Sequence, residues 1–419
     1  MKREKLLLCI AVPVLAIAIL APVATGQRPA TLVGTGAAQA GRGGGRGVTV
    51  VSPEVLSDGR VALRIVAPRA ENVTISAGDI PASSLAAQGG RGGPPFTRNE
   101  NGVWEATFGP VVPGAFRYVF QVDGVRTLDP VNTKTSESNT ANWSLFYVPG
   151  LDFQDVQDVP HGAVASVYYF STVLKTTRRM HVYTPPGYES GTQKYPVFYL
   201  LHGAGDCDDS WTSVGRAGFI IDNLIAARQV TPMIVVMPAG HQPATGGPAA
   251  PAAAATTGAP PAVNPFTREL VTDVMPSVER LYRTMNDRGH RAIAGLSMGG
   301  SQTLDVAFQH LASFAYIGVF SSGATLGGGR GATPSSGAAP RPDWEATHLA
   351  DLDNAALKKG TKLIWLSTGS DDGLIANTRS TVDLLKKHGF SPVFQESPGG
   401  HTWLNWRNYL REFATRIFR

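Results

Sequence analysis

The residues whose types and spacing most clearly suggest chemistry surround Ser297, in the stretch HRAIAGLSMGGSQTLDVAFQH at 290–310. Ser297 lies between Gly295 and Gly299, after a short apolar run and before an amphipathic helical pattern. A serine on a tight turn between a strand and a helix projects its hydroxyl above the sheet, and the glycines keep side chains out of that turn. The pattern predicts that Ser297 acts as a nucleophile.

A serine hydroxyl becomes a useful nucleophile only when a base takes its proton. In the arrangement predicted here, the acid and then the histidine follow the serine along the chain. His401 suits the role of base because it follows the last strand pattern, precedes the final helix, and comes after two glycines. Other histidines lie in or before strand patterns or near helix ends, where structural roles are expected: His181, His290, His310 and His388.

The acid that orients the imidazole is expected after the preceding strand. The stretch LIWLSTGSDDGLI (363–375) places Asp371 and Asp372 at the C-terminal end of a strand pattern. One carboxylate can stabilise the imidazolium, while the other would be a solvated loop residue. Spacing alone does not distinguish the two.

An oxyanion that forms at Ser297 needs backbone N–H donors. Met298 opens the predicted helix, whose N-terminus adds positive potential. The second donor is expected from the loop after an early strand, in YLLHGAGD (199–206), where Ala204 follows His202 and Gly203. His202 is expected to shape this loop rather than to act as a base.

Three tryptophans accompany these loops: Trp211, Trp403 and Trp406. We expect them to line a substrate cleft, with core packing as the alternative. The acidic segment DCDDSW (206–211) lacks the regular alternation and the distant glutamate of a calcium loop. Neither a metal nor a cofactor is therefore expected, and Cys207 is expected to be an ordinary loop residue.

Alternating strand and helix patterns run from 150 to 419. YPVFYLLHG and MIVVMPA are nearly continuous apolar runs, typical of strands that are covered on both faces. The order predicts an α/β fold with a mainly parallel sheet. Together with the turn at Ser297 and the Ser, acid, His order, it predicts an α/β-hydrolase fold. Two Ala/Gly/Pro-rich tracts, 240–263 and 323–342, interrupt it and are expected to be flexible insertions.

The region from 48 to 149 has a different pattern. Short alternating segments such as RVALRIVAP and GAFRYVFQVDG predict strands, and no helical period interrupts them. We expect a small all-β sandwich. It carries no Ser/His/acid set, so we expect it to leave catalysis to 150–419.

The N-terminus predicts export. Basic residues precede a long apolar run, and small residues offer a cleavage point, which makes 1–26 a signal peptide and the protein secreted or periplasmic. An uncleaved membrane anchor is the alternative. Residues 27–47 are Gly/Ala/Arg-rich and are expected to form a disordered linker. The chain has two cysteines, and removal of Cys9 with the signal would leave Cys207 without an intramolecular partner.

The charge distribution argues against a nucleic-acid partner. The formal net charge is +5, but the arginines are scattered and no basic patch with interleaved aromatic residues is present. No membrane contact is expected apart from the export signal.

Taken together, YPVFYLLHGAGDCDDSW, HRAIAGLSMGGSQTL, GSDDGLI and GGHTWLNW resemble the secreted esterase family that includes feruloyl and acetyl-xylan esterases, with enterochelin esterases as relatives. The resemblance covers about 160–419. It implies Ser297 as nucleophile, His401 as base, Asp372 rather than Asp371 as acid, and Ala204 and Met298 as oxyanion donors. The region 48–149 resembles the immunoglobulin-like, carbohydrate-module-like domain often fused before such esterases.

From these observations and the resemblance, we expect the protein to be a serine carboxylic ester hydrolase that removes feruloyl or acetyl groups from plant cell-wall polysaccharide. Its expected partner is an acylated polysaccharide or a small ester. Three alternatives remain: a siderophore esterase, an acyltransferase on the same fold, and a non-catalytic carbohydrate-binding protein. An intact Ser/His/Asp set argues against the last.

Overall fold

The computed structural model describes residues 48–85, 93–242, 264–324 and 343–419. Gly47–Arg419 forms one compact unit. The predicted signal peptide and linker lie outside the described residues, as do 243–263 and 325–342, which make up most of the two predicted insertions. In the described ranges, no helix has the length and apolar character needed to span a bilayer.

The first part of the described chain is all-β apart from one short helix, α1 (Ala82–Leu85). Its strands are β1 (Glu54–Val55), β2 (Val61–Val66), β3 (Val73–Ser76), β4 (Thr97–Arg98), β5 (Val103–Phe108), β6 (Gly114–Val122), β7 (Val125–Thr127), β8 (Thr135–Glu137) and β9 (Asn142–Val148). They form two antiparallel sheets, one in the order β1-β2-β5-β4 and one in the order β3-β6-β9-β8, with β7 beside β6.

Alternating side chains from both sheets fill the space between them. β2 contributes Val61, Leu63 and Ile65, the residues whose period-two spacing predicted the strand, and β6 contributes Phe116 and Tyr118. Side chains on one face of each sheet can therefore exclude water from a common core. The predicted two-sheet sandwich is present, while its likeness to immunoglobulin-like or carbohydrate-binding modules stays a prediction.

The second part of the described chain builds one larger sheet. Its strands are β10 (Ala163–Ser171), β11 (Thr176–Thr184), β12 (Val197–Leu201), β13 (Ile234–Pro238), β14 (Arg291–Leu296), β15 (Tyr316–Phe320), β16 (Leu363–Gly369) and β17 (Val393–Ser397). They lie in the order β10-β11-β13-β12-β14-β15-β16-β17. β10 and β11 pair antiparallel, as do β11 and β13, and the other neighbours are parallel.

Helices lie between the strands and cover the sheet. They are α2 (Ala217–Ala226), α3 (Pro265–Glu269), α4 (Met275–Leu281), α5 (Met298–Ala307), α6 (Trp344–Leu352), α7 (Ala355–Lys359), α8 (Ile375–Lys387) and α9 (Trp403–Ala414). A π-helical turn, Leu270–Val274, joins α3 to α4. Every residue of β12, β13 and β15 is buried, which explains their continuous apolar sequences. The predicted fold class, an α/β-hydrolase fold preceded by an all-β sandwich, is confirmed.

The sequence analysis did not predict α6 and α7. Each is short and begins soon after the Ala/Gly/Pro-rich tract, where no apolar period is long enough to identify a helix. Both have a capping residue that could have signalled them. The Asp343 side chain accepts a hydrogen bond from the N–H of Glu345, and the Asn354 side chain accepts one from the N–H of Leu357.

The acidic segment 206–211 lies where the sandwich meets the larger sheet. Asp206 pairs with Arg117 of β6, and Asp208 pairs with Arg179 of β11. Asp209 accepts a hydrogen bond from the N–H of Glu137 at the end of β8. These aspartates therefore bind protein cations and N–H groups, and the described residues contain no acidic, histidine or cysteine cluster suited to a metal.

Candidate active site

Ser297 occupies a sharp turn between β14 and α5. Its backbone angles are φ 52° and ψ −114°, a conformation that a residue with a side chain rarely adopts and that is typical of functional sites. A Cβ on Gly299 would lie 2.6 Å from the carbonyl oxygen of His202, and a Cβ on Gly295 would overlap the carbonyl oxygen of Gly299. The two glycines therefore allow β12, β14 and α5 to approach closely enough to form this turn.

The structure brings Ser297, His401 and Asp372 together at the C-terminal ends of β14 and β16. His401 Nδ1 lies 2.9 Å from Oδ2 and 3.1 Å from Oδ1 of Asp372, and its Nε2 lies 3.0 Å from Ser297 Oγ. A carboxylate can only accept, so Nδ1 carries the proton and Nε2 is free to accept the hydrogen of the serine hydroxyl. This tautomer is the one in which the imidazole can act as a base toward Ser297.

Asp372 is buried behind the imidazole. Burial alone would raise its pKa, but the hydrogen bond and charge of His401, together with the N–H of Leu374, lower it below its ordinary value. The carboxyl group therefore stays ionised at neutral pH. Asp371 is exposed, and its backbone N–H donates to the carbonyl oxygen of Gly399.

The two expected oxyanion donors lie beside the serine. Ala204 and Met298 both line the cavity above Ser297. Because Met298 is the first residue of α5, its N–H has no acceptor within the helix and is available to a ligand. Ala204 lies in the loop that follows β12, called here the Gly203–Asp206 loop.

His202, just before this loop, is fixed inside the protein. Its Nδ1 donates to the carbonyl oxygen of Gly203 at 2.8 Å, and its Nε2 accepts from the N–H of Gly240 at 2.8 Å. Burial lowers the pKa of His202, which keeps the ring neutral. The geometry matches the expected shaping role. Burial also raises the pKa of the nearby Cys207 thiol to about 12, so this cysteine is not a thiolate at neutral pH.

The cavity above Ser297 has a volume of about 570 Å³, within the size range of small-molecule sites. Trp403 and Trp406 form part of its wall, as expected, and Leu296 and Leu374 add apolar surface. The His401 ring packs edge-on against Trp406, with centroids 5.0 Å apart. The site thus combines a polar reacting centre with flat apolar walls.

The expectation that Trp211 also lines the cleft requires correction. Its side chain is 0% exposed, and its Nε1 donates to the carbonyl oxygen of Leu201. It packs edge-on behind Trp403, with ring centroids 5.0 Å apart. Trp211 therefore supports the wall without reaching the cavity, because the segment after Asp206 turns inward beneath α9.

The sandwich supplies part of the cavity wall, which the sequence analysis did not expect. Gly78, Asp79 and Arg117 line the cavity together with residues of the second region. Arg117 alternates with the buried residues Phe116 and Tyr118 along β6, so its sequence pattern shows only an outward-facing strand residue. Nothing in that pattern indicates which surface the outward face meets.

Comparisons with known proteins agree with this geometry. The family model described as "Putative esterase" matches residues 171–417. The chain is 30% identical over 385 residues to an endo-1,4-beta-xylanase/feruloyl esterase of Xylanibacter ruminicola, covering 88% of this chain and 46% of that protein. It is 26% identical over 270 residues to endo-1,4-beta-xylanase Y of Acetivibrio thermocellus, covering 59% of this chain and 22% of that protein. The chain thus matches less than half the length of either relative.

Solved structures show the same fold. A ferulic acid esterase from Anaeromyces mucronatus superimposes with a TM-score of 0.51 at 24% identity, covering 64% of this chain and 96% of that one. The enterobactin esterase of Shigella flexneri gives a TM-score of 0.56 at 16% identity, covering 85% of this chain and 92% of that one. The family match spans the larger sheet from β11 onward, the turn at Ser297 and the helix after His401, and it confirms the resemblance seen in the motifs: the chain belongs to this esterase family.

Proposed function

We propose that this protein is a serine carboxylic ester hydrolase in which Ser297, His401 and Asp372 form the catalytic triad. The observation that carries the proposal is the continuous hydrogen-bonded chain from Asp372 through His401 to Ser297 Oγ beneath an open cavity. Family membership supports ester hydrolysis as the reaction class.

In the proposed reaction, Ser297 Oγ attacks the ester carbonyl carbon as its proton passes to His401 Nε2. The N–H groups of Ala204 and Met298 donate to the oxyanion of the tetrahedral intermediate. Collapse of that intermediate breaks the bond to the alcohol, which leaves with the proton from His401. A water molecule, deprotonated by His401, then hydrolyses the acyl-enzyme, while Asp372 stabilises the imidazolium in both steps.

For the substrate, we propose a feruloyl or acetyl ester of plant cell-wall polysaccharide. The tryptophans of the cavity wall suit a flat aromatic acyl group, and a relative at 30% identity is named as a xylanase/feruloyl esterase. The predicted signal peptide supports action outside the cytoplasm. An apolar pocket discriminates weakly between acyl groups, by about 1–3 kcal/mol per methylene, so acetyl esters should be cleaved as well.

A siderophore lactone is the second candidate, because the likeness to the enterobactin esterase covers both the sandwich and the larger sheet. The charges at one end of the cavity disfavour an anionic iron chelate. The Asp79 and Asp206 carboxylates both pair with the Arg117 guanidinium there, so these three groups together carry a net negative charge. Bringing like charges together at an interface is unfavourable.

Changing the nucleophile tests the reaction class. Ser297→Ala should lower kcat for methyl ferulate and p-nitrophenyl acetate by about 10⁴-fold or more, as loss of a triad nucleophile does elsewhere. A fluorophosphonate should label the wild type and not the variant. Matched circular dichroism spectra would show that the fold is intact, and near-normal hydrolysis by the folded variant would refute the triad.

A panel of esters tests the substrate class. Wild-type kcat/KM for feruloyl-arabinoxylan, acetylated xylan and a catecholate lactone should be greatest for one of the two polysaccharide esters. A lactone cleaved far faster than both would overturn the polysaccharide proposal while leaving the role of Ser297 standing.

A further inference from the structure

The Gly203–Asp206 loop is held from the side of the sandwich. Arg117 Nη1 donates to Oδ1 of Asp206 at 2.8 Å, so a β6 side chain reaches the loop that carries Ala204. The same guanidinium donates from Nε and Nη2 to both oxygens of Asp79, at 2.6 and 3.1 Å. Arg117 therefore joins two carboxylates that come from different parts of the chain.

This ion-pair group is largely shielded from water. The exposed fraction of the side chain is 12% for Arg117 and 6% for Asp206. A buried charge that loses its partner is strongly destabilised, so the structure around it must move or the group must change protonation. Without the guanidinium, the Asp206 and Asp79 carboxylates would face each other with no cation between them. We therefore expect the Gly203–Asp206 loop to shift.

The same strand also contacts the helix that follows His401. Arg407 of α9 is fully buried, and its Nη1 donates to the carbonyl oxygen of Ala115 on β6 at 3.2 Å and to that of Val214 at 2.9 Å. Ala115 and Arg117 are only two residues apart. β6 thus contacts the element that carries the oxyanion donor Ala204 and the element that follows the base.

We propose that Arg117 is a positioning residue for ester hydrolysis, which holds the Ala204 N–H in register with Ser297 through its ion pair with Asp206. The proposal rests on the function proposed above, because its consequence is a change in the rate of acyl transfer. If the proposal holds, a side chain of the sandwich helps to set the geometry of the active site.

The choice of arginine follows from the geometry. A planar guanidinium can bind Asp79 through two parallel hydrogen bonds and still direct a third N–H to Asp206, whereas an ammonium group is a point charge without that fork. Arg117→Lys should therefore restore part of the activity lost in Arg117→Ala. If Arg117 only filled space, an uncharged side chain of similar length, as in Arg117→Met, would restore the lost activity equally well.

A small ester separates positioning from direct substrate contact. An acetyl group makes few contacts beyond the reacting carbon, so p-nitrophenyl acetate reports mainly on the reacting centre. Loss of one oxyanion donor lowers kcat by about 10²–10³-fold, and a displaced donor should cost less. Arg117→Ala should therefore lower kcat for p-nitrophenyl acetate by about 10–100-fold, with little change in KM.

A double-mutant cycle tests the route through Asp206. If Arg117 acts through this carboxylate, Arg117→Ala, Asp206→Asn and the double variant should have similar kcat values. Arg64→Ala is the matched control: Arg64 also lies on the sandwich and also binds two carboxylates, Glu54 and Glu105, but it does not line the cavity. Its kcat should equal that of the wild type.

The outcomes are distinguishable. Wild-type kcat in folded Arg117→Ala would overturn the proposal, as would a rise in KM confined to feruloyl esters, which would make Arg117 a substrate contact. If the kcat losses of the two single variants multiply in the double variant, Arg117 does not act through Asp206. If melting temperatures show that Arg117→Ala is unfolded, full activity in folded Arg117→Lys and Asp206→Asn would overturn the proposal instead. A wild type that neither hydrolyses esters nor reacts with a fluorophosphonate would mean that the proposed function itself is wrong.

Discussion

Asp371 and Asp372 are adjacent and chemically identical, yet only Asp372 reaches the imidazole of His401. The difference lies in the turn after β16, which buries Asp372 and directs Asp371 to solvent. The N–H of Leu374 also donates to Asp372 Oδ1, at 2.9 Å, which fixes the carboxylate toward His401. Spacing in the sequence could not separate these residues, because both lie at the end of the same strand.

The pair provides a closely matched test at the residue scale. Asp372→Asn should lower kcat by about 10⁴-fold, because an amide no longer holds the imidazole in the tautomer whose Nε2 accepts from Ser297. Asp371→Asn should keep wild-type kcat, and comparing kcat for methyl ferulate in the two variants checks this. Equal losses in both would show that the charge of the loop matters and that contact with His401 does not.

At the scale of single elements, α8 is joined to α6 by a histidine. His388 lies just after α8, with Nδ1 2.8 Å from Oδ1 of Asp353 and Nε2 2.8 Å from Oε1 of Glu345. Both ring nitrogens can donate at once only when the imidazole is protonated. Hydrogen bonding to Asp353 raises the pKa of His388, burial opposes this, and Glu345 adds to the increase.

The sign of the resulting pH dependence follows from linkage. A raised pKa in the folded state means that the stabilisation is fully present below the unfolded pKa, about 6.5, and is lost as pH rises through the folded value. His388→Gln should therefore lower the melting temperature more at pH 6 than at pH 9. Burial lowers the pKa of His310, so His310→Gln should show the opposite trend. A pH-independent loss in His388→Gln would contradict the assigned role.

The elements that sequence patterns predicted well are those with a long apolar period or a distinctive turn. The fully buried runs of β12 and β13 and the glycines around Ser297 fall in this group. Short α6 and α7 were missed because they have too few turns for a period to show.

Contacts between distant parts of the chain were beyond the reach of those patterns. The inward position of Trp211 depends on how the segment after Asp206 folds beneath α9, and the cavity contact of Arg117 depends on how the sandwich meets the larger sheet. Period and turn signals describe one element at a time. They identified Ser297 and His401, left Asp371 and Asp372 undistinguished, and gave no sign that the sandwich contributes Arg117 to the cavity wall.

On the scale of the whole molecule, the sandwich and the larger sheet share buried structure. Leu404 of α9 packs against the sandwich core, while Ala115 of β6 belongs to the core on one face of the larger sheet. Arg407 is buried where they meet. Neither part can lose its packing without exposing apolar surface of the other.

This shared core predicts one cooperative unfolding transition. Phe116 lies in the sandwich core, 1% exposed and 5.5 Å from Phe146 between ring centroids. Phe116→Ala should destabilise the protein by about 3–5 kcal/mol, the usual cost of truncating a buried phenylalanine. Differential scanning calorimetry should show a single transition moving to lower temperature, together with loss of ester hydrolysis at the same point. Two separate transitions, with only the first displaced, would show that the parts unfold independently.

The position of the connection near residue 150 has a consequence for how such proteins recombine. A recombination point there would be a reasonable choice from the sequence, since it separates an all-β segment from an α/β segment. It would also part Arg117 from Asp206, Glu137 from Arg179, and the Ala115 carbonyl from Arg407. A chimera that takes the segment before residue 150 from a relative would therefore combine a cavity wall from one protein with a Ser297 site from another, and we expect full activity only if both partners of each of these pairs are transferred together.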